Sequence, residues 1–307
     1  MAKLINEFSW SHSRRNAFEE CMRKYYYSYY GSWNGWERDA TDRQKELYLH
    51  NKLINRWMWL GKLVHESIKT ILALVHRGAP LQNLEFYQDL LSKRMRSEFR
   101  DSLEGKIVQR PSKILGLMEH HYQEGVDDDA WRKIHQSALN YLSNFWNSEI
   151  FQNLKSLDPE KVLEMEKFST FNLEGIKVWS VMDFCHQNED AICIYDWKTG
   201  QSDSGATSDQ LACYALYAHE TWGVHPDKVQ LIEYNLARNE ITEHHTEGLD
   251  FAEVRKGILE SASNMQSKLS DVENNHAEED AFPATENHKT CSKCPFRGVC
   301  SESLMPN

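Results

Sequence analysis

Midway along the chain, the pattern of apolar residues changes character. Before residue 158 they recur every three to four positions. Helical patterns cover residues 11–30, 51–77, 83–101, 112–123 and 129–150, and no strand stands out. After it come three short β-rich runs, "KVLEMEKFSTF", "IKVWSVMDFCHQ" and "AICIYDWKT", separated by turn-like pieces. Short runs rich in β-branched and aromatic residues, bounded by turn-like pieces, suit strands. Three such runs in succession predict a meander. "SDQLACYALYAHETWG" then reads as a helix closed by Gly223. "KVQLIEYNLA" and "EITEHHTEG" read as two strands around "RN", and residues 250–272 as a last helix. This order predicts an α/β fold, a small mixed sheet flanked by helices, following a large helical region. The expected divisions are 1–158, helical; 159–272, the core; and 273–307, an acidic linker with a cysteine tail.

Composition narrows the class. The 307 residues are 40% hydrophobic and 26% charged, as in a globular protein, and no apolar run approaches the ~18 residues a membrane span needs. The opening "MAKLINEFSWSHSRR" lacks a signal-peptide core, so a cytoplasmic location is expected. The net charge of -11 does not exclude a nucleic-acid partner. Residues 271–287 hold six acids and no Lys or Arg, so more than half of that charge sits in one segment. A metal-dependent site would concentrate acids as well, and local basic patches can still hold phosphate.

One constellation carries chemistry. Asp183 lies in the second β-rich run, and Asp196 and Lys198 end the third in "YDWKTG". Alternation puts Asp196 and Lys198 on one strand face, and an antiparallel neighbour can bring Asp183 alongside. Two carboxylates beside a lysine form a site for a hard cation such as Mg²⁺ or Mn²⁺ with a positive group next to it. An acid and a lysine two apart on a strand are common, so the pair informs only with its neighbours.

Together with those neighbours the residues resemble the RecB-like branch of the PD-(D/E)XK nucleases. Gly61 and His65 stand as Gly-x-x-x-His on an upstream helix, and Gln210 and Tyr214 as Gln-x-x-x-Tyr on the helix after the lysine. The opening Ser11-x-Ser13-Arg14, then Cys21, then "KYYYSYY", matches in the same order. Ser180, Phe184 and Met22 depart from the family's usual Gly, Arg and Pro at those places. The resemblance implies a restriction-endonuclease-like core in which His65, Asp183 and Asp196 hold the metal, joined by the Trp197 carbonyl. It implies Lys198 as the catalytic lysine, Gln210 and Tyr214 as positioning residues, and Glu166 rather than Glu164 as a supporting acid. The implied activity is hydrolysis of DNA, single-stranded or with free ends, leaving a 5′-phosphate. Repair and antiviral defence are the implied settings. A second implied reading is a DNA-binding or assembly subunit of a larger DNA-processing complex, with an accessory or inactive nuclease site.

The cysteines raise a separate matter. "CSKCPFRGVC" places Cys291, Cys294 and Cys300 close together, one thiol short of a four-ligand site. In the iron–sulfur members of the branch one cysteine lies upstream of the core and three downstream. By that resemblance Cys21 completes a [4Fe–4S] set that clasps the two ends of the chain. Zinc on the same thiols is the competing reading, although zinc sites more often show two close pairs. Cys185, Cys193 and Cys213 read as buried thiols. "KYYYSYY" reads most simply as an aromatic helix packed on the core. The functional alternative is base stacking on single-stranded DNA, helped by Arg14, Arg15, Arg23 and Lys24.

Overall fold

A computed structural model describes residues 4–189, 191–200, 206–244 and 246–303. The first half forms α1 (His12–Glu20), α2 (Met22–Tyr26), α3 (Asp42–His50), α4 (Arg56–His76), α5 (Leu84–Leu103), α6 (Met118–His121), α7 (Asp128–Asn147) and α8 (Glu149–Lys155). The longer helices start where a short polar side chain can accept from a free backbone N–H. Ser11, Thr41, Asn55, Asn83 and Asp127 all do this. In α4 the buried Leu60, Leu63, Val64, Ile68, Ile71 and Leu72 form one helical stripe, which packs onto the sheet with α5, α7 and α8.

Two local expectations change here. Residues 112–123 hold only the single turn α6, preceded by strand β2 (Gly116–Leu117), which pairs parallel with β1 (Leu53–Ile54). The helix expected over 11–30 is broken at Cys21, whose backbone is extended (φ -166°, ψ 112°). Cys21 ends α1 and caps α2 through Sγ, which accepts from the Lys24 N–H at 3.4 Å. A wider π-helical turn, Tyr27–Gly31, follows.

The second half contains β3 (Val162–Glu164), β4 (Ser169–Leu173), β5 (Ile176–Ser180), β6 (Phe184–Asn188), β7 (Ala191–Lys198), α9 (Ala206–Trp222), β8 (Val229–Asn235), β9 (Glu240–His244), α10 (Phe251–Gln266) and α11 (His288–Ser292). His245, within the expected last strand, lies outside the described residues. The main sheet has the order β3-β6-β7-β8-β9, with β7 and β8 parallel and the other pairs antiparallel. Along β7, Cys193, Tyr195 and Trp197 face the α4 side, and Ile192 and Ile194 face the core that includes α9 and α10. Both faces are covered, which explains the unbroken apolar run before Asp196. This is the mixed, helix-flanked α/β core expected.

The expected meander is corrected. The first two β-rich runs each contribute to two sheets. β3 pairs with β6 in the main sheet, whereas β4 pairs with β5 in a separate hairpin. The register is the same on both sides of the break: Glu164 faces Cys185, and Ser169 faces Ser180. Glu166 therefore falls opposite Asp183 in the gap, and the Glu166 N–H donates to the carbonyls of Met182 (2.9 Å) and Asp183 (3.2 Å).

The ends of the chain also pack. Phe282, in the stretch expected as an acidic linker, is fully buried against Tyr25, Tyr26 and Tyr30. Tyr25 and Tyr27 are themselves fully buried, so "KYYYSYY" is packed on the core as its simplest reading expects, with Tyr26, Tyr29 and Tyr30 half-buried. Arg23, a helper in the base-stacking alternative, is buried and donates to the carbonyl of Phe282 and to the carboxylate of Glu279. Cys185, Cys193 and Cys213 are buried. Among the described residues, no helix is long and apolar enough to cross a membrane.

Candidate active site

The break in the long hairpin lies beside the end of β7, and the polar residues gather there. Asp183 stands just before β6 rather than inside a strand, and Glu166 just after β3. Glu166 has φ +41°, a left-handed backbone that costs a non-glycine residue free energy and recurs at functional sites. His65 reaches in from α4, its Nδ1 lying 3.1 Å from Asp183 Oδ1. The ligand-type atoms of His65, Glu166 and Asp183 lie within 4.8 Å of one another, close enough to hold one cation. The other oxygen of Asp183 accepts the Trp197 N–H at 2.6 Å, while the Trp197 side chain is buried in the core.

The electrostatics fit a site that lacks positive charge. Burial disfavours charge on His65, but the Asp183, Glu166 and Asp196 carboxylates outweigh it and push its pKa up to about 9. Burial first, and then Asp183, raises the pKa of Glu166; Lys69, 3.3 Å away, opposes the rise. Burial and the charge of Asp183 lift Asp196 to about 6, against the pull of Lys198. A divalent cation relieves all three effects.

Asp196 and Lys198 share a face of β7 as alternation requires. Asp196 is buried, and its Oδ2 forms an ion pair with Lys198 Nζ at 2.6 Å. That contact lacks the direction of a good hydrogen bond, and among the described residues the oxygen has no hydrogen-bond partner. Asp196 is therefore not one of the tight trio; it is tied to Lys198 instead. Lys198 Nζ also donates to Gln210 Oε1 (2.9 Å), Gln210 Nε2 to Tyr214 OH (2.7 Å), and Tyr214 OH to the Val181 carbonyl (2.7 Å). Burial, with Asp196 and Asp183 behind it, keeps the Tyr214 phenol protonated and able to donate. The chain of contacts thus links the lysine to the segment that carries Asp183.

Gly61 explains how α4 comes so near. A Cβ at that position would lie 2.8 Å from Thr199 Oγ1, just past Lys198. Glu164, the rejected alternative to Glu166, is buried elsewhere and accepts from Ser169 Oγ (2.8 Å) and Tyr217 OH (2.6 Å).

Cys21, Cys291, Cys294 and Cys300 line one cavity with Arg23, Tyr27 and Phe296, and none is in a disulfide. Burial pushes the Cys294 thiol up to about 12 and raises Cys300 as well. Among the described residues, no three of these sulfurs come as close together as the His65 trio does.

A mixed sheet flanked by helices brings two acids and a lysine together at the end of a central strand, an arrangement able to hold a divalent cation beside a positive group. The chain belongs to the PD-(D/E)XK nuclease superfamily, whose sequence model matches residues 9–301. Members of that superfamily typically use divalent metals. No curated protein matches the chain. Among solved structures, the crystal structure of SSO0001 is similar at 19% identity over 61% of this chain and 80% of that chain, with a TM-score of 0.32, too low to support any conclusion about this chain.

Proposed function

We propose that the protein is a RecB-like, iron–sulfur-bearing nuclease that hydrolyses DNA phosphodiesters, acting on single-stranded or end-bearing DNA. The convergence of His65, Glu166 and Asp183 beside the Asp196–Lys198 pair carries the reading. In it, His65, Glu166 and Asp183 hold Mg²⁺ or Mn²⁺, and Asp196, ion-paired to Lys198 through Oδ2, stands at the edge of the same site. The bound ion supplies positive charge to a phosphate and acidifies water. Lys198 stabilises negative charge developing on the phosphate, and Gln210 fixes its direction. Tyr214 holds Gln210 and the Val181 backbone in one frame. The trio supported here exchanges Asp196 for Glu166 relative to the expected ligand set and keeps Asp196 at its edge.

The support for the cluster is that Cys21, Cys291, Cys294 and Cys300, from the two ends of the chain, line one cavity. Zinc on the same four thiols is the competing reading. Such a cluster would join the chain's ends without touching the hydrolytic residues.

The test is DNA cleavage by wild type, Lys198→Ala and Asp196→Ala with added Mg²⁺ or Mn²⁺, on linear and circular single strands. Wild-type cleavage lost in both variants is expected, with linear substrate preferred. Unchanged cleavage in both variants would sink the site assignment.

A further inference from the structure

Next to the Lys198 network lies a cleft that the hydrolytic roles leave unused. It measures about 550 Å³, within the ~300–1,000 Å³ range of small-ligand sites. Ser13 and Arg14 line it from α1, Phe168 and Trp179 from the broken hairpin, and Gln210 and Tyr214 from α9. The last two tie it directly to the lysine.

A single exposed apolar ring is ordinary on a protein surface. Phe168 is distinguished by its place. It is 79% exposed, its edge meets the Trp179 indole (centroids 6.4 Å apart, planes at 81°), and it follows Glu166 by two residues. Two residues of chain span at most ~7 Å between their Cα atoms, so the Phe168 backbone stays close to that of Glu166. Arg14 lies over the Tyr29 ring at 4.4 Å and donates to the Ser9 carbonyl, and among the described residues no carboxylate pairs with it. The Ser13 hydroxyl lies 3.0 Å from the Ser11 hydroxyl. A flat apolar face, a guanidinium and hydroxyls in one cleft match the parts of one unpaired nucleotide.

We infer that this cleft is a subsite for an unpaired nucleotide next to the scissile phosphate. Phe168, backed by Trp179, takes the base face; Arg14 and Ser13 take the phosphate. The inference rests on the DNA nuclease reading and deepens it. A paired base keeps its faces inside the duplex stack, so this subsite selects single strands.

The experiment measures binding of a labelled single-stranded oligonucleotide to the full chain without added divalent cation, so that cleavage does not enter. Phe168→Ala is expected to weaken binding about 5- to 100-fold, the range of one base stack, and Phe168→Trp to retain it. An oligonucleotide of the same length lacking bases should bind wild type and Phe168→Ala alike. Arg14→Ala should flatten the salt dependence by the equivalent of one phosphate contact. Wild-type affinity in Phe168→Ala overturns the subsite, even if the wild type cleaves DNA. Base-dependent loss in Phe168→Ala upholds it, even if no preparation cleaves, a result that would defeat the hydrolase reading alone.

Discussion

At the scale of single residues, the structure separates groups that look alike in sequence. Glu164 and Glu166 are two positions apart, yet one supports the fold and the other joins the candidate metal trio. Glu166→Gln should weaken Mn²⁺ binding with little change in melting temperature. Glu164→Gln should do the reverse, costing about 1–3 kcal/mol because a buried acceptor pair loses its fit. Calorimetric titration with Mn²⁺ and thermal melts of both variants decide the matter; equal effects on metal binding would undo the distinction. Gln210→Ala should leave Lys198 in place but unaligned, lowering kcat up to about 100-fold with KM little changed. Steady-state kinetics check this. Spacing put Asp196 and Lys198 on one strand face and Gln210 and Tyr214 on one helix face, because periods of 2 and of about 3.6 fix which residues share a face, while their roles came only from the resemblance to the RecB-like nucleases. The trio was less legible. By the resemblance Asp196 reads as a ligand and Glu166 as a support, but the gathering of Glu166 with His65 and Asp183 goes with a left-handed backbone that sequence does not reveal.

At the scale of elements, the broken hairpin is the feature the sequence conceals. "IKVWSVMDFCHQ" reads as one β-rich run with no glycine or proline inside it, and β5 and β6 keep the same register across the gap. Only their membership of different sheets shows that Val181–Asp183 forms the crossing. The Cys21 break is hidden for a similar reason, since a thiol can end one helix and cap the next without a proline or glycine to announce it. The layered core was plainer, since a strand buried on both faces must be apolar throughout. Close approach of α4 to the end of β7 yields a further expectation. Gly61→Ala forces a contact with Thr199 and should cost about 1–3 kcal/mol, moving His65 away from Asp183. Thermal melts and Mn²⁺ affinity should both fall; a variant as stable and as avid as wild type would show that α4 has room to spare.

At the scale of the whole molecule, the two ends of the chain meet. Arg23 contacts Glu279 and Glu302, Tyr27 OH donates to Glu279, and Phe282 fills the tyrosine cluster. These contacts surround the cavity of the four thiols, so the proposed cluster closes a junction that protein contacts already outline. A covalent link across so long a loop adds stability chiefly by restricting the unfolded chain. Cys21→Ser and Cys294→Ser should therefore lose iron alike, each with a lower melting temperature. Iron content retained in Cys21→Ser alone would break the pairing of the ends. The acidic segment illustrates why sequence misleads at this scale. Its composition suits a solvated linker, and one phenylalanine and one carboxylate anchor it to the N-terminal helices.

The central claim is that one divalent-cation site, built from His65, Glu166 and Asp183 beside Lys198, cleaves DNA. It is tested most directly by DNA cleavage measured across a Mn²⁺ titration for wild type, Asp183→Ala and Lys198→Ala. The account predicts saturable cleavage by wild type and none by Lys198→Ala at any concentration. For Asp183→Ala it predicts a midpoint shifted at least about tenfold higher, or no cleavage. Cleavage by Asp183→Ala with the wild-type Mn²⁺ midpoint would contradict it.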